Sequence, residues 1–157
     1  MTTTDETPWL GEDQQRVWRQ WLAVTAALPA ALNRQLQADS GLSLPDFDVL
    51  VQLSDHPQGR VRVSALADAL QWERSRLSHH VKRMQARGLV EREECDDDGR
   101  GWFVVLTPRG RAVIAAAAPD HAREVRELVF DDLTPDELAT LAGVTTKVMR
   151  RLTGRLG

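Results

Sequence analysis

Apolar residues recur at helical spacing along most of this chain, and short polar segments punctuate them. The first long element runs from about Glu12 to Asp39, with Trp18, Trp21, Leu22, Thr25, Leu28, Leu32 and Leu36 on one stripe. Pro29 falls inside it. Proline lacks the backbone N–H and clashes with the previous turn, so a kink or a split into two helices is expected there. Gly41 ends the element. Ser43 is an N-cap for a second helix, with Pro45 and Asp46 suited to its first turn. Phe47, Leu50, Val51 and Leu53 form its buried side, and a loop follows over 55–59. Ser64 reads as the cap of a short helix with Leu66, Ala67 and Leu70 inward.

The turn Gln71–Glu73 leads into another helix over about 74–87, with Gly88 as a left-handed cap. Two strands, 89–95 and 102–106, flank a loop that contains Asp98 and Gly99. Thr107 and Pro108 open a helix reaching about Phe130, which Pro119 can bend. Thr134 and Glu137 have capping-box spacing. After them Leu138, Leu141, Thr145, Val148 and Leu152 form a narrow seam suited to packing along another helix. The pattern is mainly α with a small β-hairpin. A short helix, a tight turn, a second helix and a hairpin in that order are the parts of a winged helix-turn-helix.

Charge changes the picture more than composition does. With 42% hydrophobic and 27% charged residues the chain suits a soluble globular protein of 157 residues, folded as one domain or as one domain with a dimerisation extension. No apolar run approaches the roughly 20 residues of a membrane helix. The polar, acidic start resembles neither a signal nor a transit peptide, so a cytoplasmic location is expected. The net charge of −3 hides a segment, 60–87, with seven Lys/Arg against two acids, so the rest carries −8. A basic stretch within an acidic chain suits binding phosphate on one face.

A helix turns by about 100° per residue. With Leu77 inward, Val81, Met84 and Gly88 lie close to it, while Ser75, His79 and Lys82 point away with Arg83 beside them. Residues near the N-terminus of such a helix reach deepest into a major groove. Arg74, Ser75, Arg76, Ser78 and His79 are therefore the expected groove residues, and Lys82 and Arg83 the expected phosphate contacts. A plain solvated charged face is the competing reading, and the helix before it and hairpin after it weigh against that. At the hairpin tip Arg100 suits the minor groove, with Asp98 orienting it.

These residues resemble the MarR family (multiple-antibiotic-resistance regulators). The resemblance is carried by Asp98, Gly99 and Arg100, then Leu106–Gly110, and by Leu66, Ala67, Leu70, Ser75, Leu77, Ser78 and Val81 of the helix-turn-helix. It implies a triangular homodimer in which first and last helices interlock (about 12–40 and 108–154), while 44–106 forms the DNA-binding lobe. It implies a sequence-specific transcriptional regulator, most often a repressor, on a palindromic site in double-stranded DNA. Arg100 matches the wing arginine of the family and Asp98 the acid that braces it. Many relatives are released by small aromatic acids, for which Trp18, Trp21, Arg34, Phe47 and Trp72 are the candidates here, with core packing as the competing role.

The chain departs from the family at Gln71, where a glycine is usual, and at Trp72, a larger residue suited to anchoring the following helix. The single Cys95 lies beside acids, which disfavours a reactive thiolate. No metal or cofactor is expected, because the four histidines form no ligand cluster. No nucleophile–base pair or phosphate loop suggests an enzyme. The alternative of a winged helix kept only for protein contacts calls for a neutral or acidic second helix, unlike 74–87.

Overall fold

The computed structural model describes residues 9–94 and 101–154. It contains α1 (Glu12–Ser40), α2 (Leu44–Asp55), β1 (Arg60–Arg62), α3 (Val63–Leu70), α4 (Arg74–Ala86), β2 (Val90–Glu94) and β3 (Trp102–Leu106). After these come α5 (Pro108–Val125), a π-helical turn (Arg126–Phe130) and α6 (Pro135–Thr153). The backbone groups into two compact units, one through Ala117 and one from Ala118. Among the described residues no helix is long and apolar enough to cross a membrane.

Capping decides where the second and last helices begin. Ser43 accepts from the Asp46 N–H at 3.1 Å, while Asp46 accepts from the Ser43 N–H at 2.9 Å. Thr134 and Glu137 form the same reciprocal pair at the start of α6. Gly41, at φ 69°, closes α1 in the left-handed conformation. Gln71 adopts φ 54° without being glycine, which costs about 1 kcal/mol. Its side-chain amide donates to the Asp68 carbonyl at 2.6 Å and offsets part of that cost.

Several expectations need correction. Of the kink or split expected at Pro29, the split does not occur: α1 is one element. Pro29 and Thr25, whose carbonyl loses its partner, both lie on the exposed side, where water can serve that carbonyl. Ser64 is not a cap. Arg62 pairs with Phe103 across the sheet, so extended backbone runs up to Val63 and Ser64 falls in the first turn of α3. On α2 the fully buried valine is Val49, whereas Val51 is half-buried. The 108–130 helix ends in a π-helical turn after Val125.

The hairpin is part of a three-stranded antiparallel sheet, ordered β1-β3-β2. Val104 faces Val61 on one side and Arg92 on the other. A three-residue strand is too short for alternation to reveal. The core of the first unit gathers Leu36, Leu50, Leu66, Leu77, Met84 and Val104, all inaccessible to solvent.

The end of α4 and the start of α5 are locked together. The Thr107 hydroxyl donates to the Gly88 carbonyl at 2.7 Å and accepts from the Gly110 N–H at 2.9 Å. A Cβ on Gly110 would lie 2.1 Å from the Leu89 carbonyl oxygen. Backbone cannot yield as a flexible side chain does. Gly110→Ala should therefore destabilise the fold by about 2–3 kcal/mol, measured by urea unfolding. An unchanged midpoint would contradict this packing.

Candidate nucleic-acid interface

Local sequence gives α4 two faces. Leu77, Val81 and Met84 are buried, and His80 is only 7% exposed. Arg74, Ser75, Arg76, Ser78, His79, Lys82 and Arg83 are all exposed. The structure thus gathers every expected contact residue of this helix on its solvent side. Arg74 and Lys82 form no ion pair among the described residues. The Arg76 guanidinium lies over the Trp72 ring, 4.2 Å from its centroid.

Not every cation of the basic segment is without an anionic partner. Arg87 donates to Asp46 Oδ2 at 2.7 Å and to the Gly41 carbonyl at 2.9 Å. Arg60 pairs with Glu93 and lies 3.8 Å from the Phe103 ring centroid. Net charge counted along the sequence therefore overstates what α4 and its neighbours offer to phosphate.

A buried carboxylate holds α4 in place. Asp46 is 4% exposed and sits in the first turn of α2. His80 Nε2 lies 2.9 Å from its Oδ1, close enough for strong attraction but without the alignment of a full hydrogen bond. Trp72 packs edge-on against the His80 ring, with centroids 5.4 Å apart. Burial by itself would raise the Asp46 carboxyl. Contact with His80, the Ser43 N–H, Arg87 and the Ser43 hydroxyl outweigh it and hold the group well below the usual carboxylate range. The sequence placed Asp46 in the first turn of α2 but did not reveal this role, because Arg87 is 41 residues away.

A cleft of about 360 Å³ opens between the starts of α3 and α4 and the base of the hairpin, lined by Arg62, Ser64, Arg74 and Trp102. Arg62 and Ser64 were not expected there; β1, which places Arg62, was the missing signal. Asp98 and Arg100, like Cys95, lie outside the described residues.

The five effector candidates do not converge. Phe47 is buried in the core, while Trp18, Trp21 and Arg34 are exposed along α1. Of the five, Trp72 alone lines an open groove of about 410 Å³, shared with Pro29, Asn33, Leu44, Asp48 and Arg76. Among the described residues no group of three or more His, Cys, Asp or Glu could hold a metal.

A tight helix-turn-helix, a basic exposed second helix and an adjoining antiparallel sheet define a winged-helix regulator of the DNA-binding class. The MarR family model matches residues 40–101. The transcriptional regulator HosA of Escherichia coli O157:H7 is 36% identical over 108 residues, covering 69% of this chain and 78% of that protein. A MarR family transcriptional regulator from Streptomyces coelicolor, solved in complex with DNA, superposes with a TM-score of 0.89 at 40% identity, covering 95% of this chain and 93% of that one. AbsC, another MarR family regulator from Streptomyces coelicolor, gives 0.88 at 38% identity, covering 94% and 99%. This chain belongs to the MarR family of transcriptional regulators.

The depressed Asp46 carboxyl makes a signed prediction. Its folded value lies below the unfolded one, which is near 4. Its stabilising effect is therefore complete above about pH 5 and fades as pH falls below about 4. Asp46→Asn should melt below the native chain at pH 7, and the gap should narrow between about pH 5 and pH 3. Thermal unfolding followed by circular dichroism measures this; a gap constant with pH would refute it.

Proposed function

We propose that this chain represses transcription as a homodimer that clasps one palindromic site in double-stranded DNA. The observation that carries the proposal is the exposed face of α4, where seven polar or cationic side chains stand opposite a wholly buried stripe. Arg74, Ser75, Arg76, Ser78 and His79 lie in its first two turns and are assigned to base edges of the major groove. Lys82 and Arg83 follow, and with Arg62 at the neighbouring cleft they are assigned to phosphates. Arg100, braced by Asp98, is assigned to the minor groove.

Dimerisation is supported by unpartnered apolar side chains. Trp18 and Leu22 on α1 are about half exposed, as are Leu138 and Leu152 on α6. Stripes of this kind along whole helices mark association surfaces. The segments 12–40 and 108–154 are assigned to this role. Two α4 helices would then meet the DNA about 10 bp apart or a multiple of that. One solved relative is itself in complex with DNA, which favours the same partner here. A small aromatic ligand in the groove under Trp72 would release DNA if it bound more tightly to lobes wrongly spaced for the operator.

Selection from a random DNA pool tests the main reading, and a palindromic motif is the expected product. On the recovered duplex, Lys82→Ala should weaken binding to all sequences and lower the salt slope by about one, whereas Ser75→Ala should change which sequence is preferred. Arg100→Ala should weaken operator binding strongly while sedimentation still shows a dimer. Equal, salt-insensitive affinity for palindromic and random DNA would overturn the proposal.

A further inference from the structure

Arg76, His80 and Arg83 occupy one edge of α4, at successive i, i+4 and i+7 positions. The outer two are exposed and the middle one is buried. Arg83 Nη2 lies 3.0 Å from His80 Nδ1. An arginine can only donate, so Nδ1 accepts and the ring proton sits on Nε2, toward Asp46. Asp46 is in turn held by the Ser43 N–H and by Arg87. Trp72 closes the ring in from the side. A rotation of His80 would break contacts on both of its nitrogens. One buried ring therefore connects a fixed carboxylate to an exposed guanidinium on the DNA-facing helix.

We infer that His80 is a positioning residue for DNA binding: it holds Arg83 in place before the phosphate arrives and touches no DNA itself. The inference rests on the assignment of Arg83 to the phosphate backbone. A free arginine loses rotamer freedom when it docks, and one held beforehand loses less. His80 thus tunes the strength of binding through Arg83 and leaves sequence preference alone.

Two substitutions separate the nitrogens. His80→Gln keeps an N–H donor near the reach of Nε2 and removes the acceptor at Nδ1. His80→Asn keeps an acceptor near Nδ1 and gives up the arm toward Asp46. Affinity is measured by fluorescence anisotropy on a duplex recovered by selection, with urea unfolding to verify that each variant folds. His80→Gln should weaken binding roughly two- to ten-fold and leave the salt slope unchanged, since the Arg83 charge remains. His80→Asn should recover most of that loss. In an Arg83→Ala background His80→Gln should have no further effect. An equal loss in both backgrounds would mean a merely structural role and overturn the inference, as would no loss with Arg83 present or an Asn variant as weak as the Gln one. If Arg83→Ala alone changes neither affinity nor salt slope, the phosphate assignment falls, and the inference falls with it.

Discussion

The burial of one charge, Asp46, organises the helix-turn-helix part of this protein. A carboxylate taken out of water is tolerated only when it is paired and hydrogen-bonded. Asp46 meets that demand with partners from three places: the Ser43 N–H at its own helix start, His80 in the middle of α4, and Arg87 just past the end of α4. Removing the carboxylate would therefore loosen both the start of α2 and the seat of α4. Apolar burial in the core is non-directional. The polar contacts of Asp46 add direction and fix the face that α4 presents.

Around that anchor the cations sort themselves by partner. Arg87 and Arg60 are paired with carboxylates, and the Arg76 guanidinium lies over the Trp72 ring. Arg74 and Lys82, without ion pairs among the described residues, are left to the solvent side. A basic segment is thus divided between cations paired within the fold and cations left to solvent. The flanking segments 12–40 and 108–154 carry as many Lys/Arg as acids, so the opposing charge comes from 44–106 itself, where Asp46 pairs with Arg87 and Glu93 with Arg60.

Much of the fold was legible because its signals are local. Helical spacing around Leu77 sorted α4 into buried and exposed faces, and Ser43 and Thr134 marked helix starts through residues three positions away. What escaped depends on distant partners. Strand β1 has three residues and exists because β3 pairs with it, and its pairing moved the start of α3 away from Ser64. His80 looked like one more polar residue beside His79, yet Asp46 on another helix turns it into a buried one. The five effector candidates were grouped by residue type, and the backbone distributes them between core, exposed helix and groove.

The placement of the tryptophans has an optical consequence. The chain contains five tryptophans and no tyrosine, so its ultraviolet emission arises from indole alone. Trp72 and Trp102 each lie within 5 Å of a guanidinium in the lobe that carries α4. Trp9, Trp18 and Trp21 stand exposed at and before the first half of α1, well apart in sequence from that lobe. The indoles therefore fall into two sets, Trp72 and Trp102 beside guanidinium groups and Trp18 and Trp21 on the exposed apolar surface of α1, where association through that helix would change their emission.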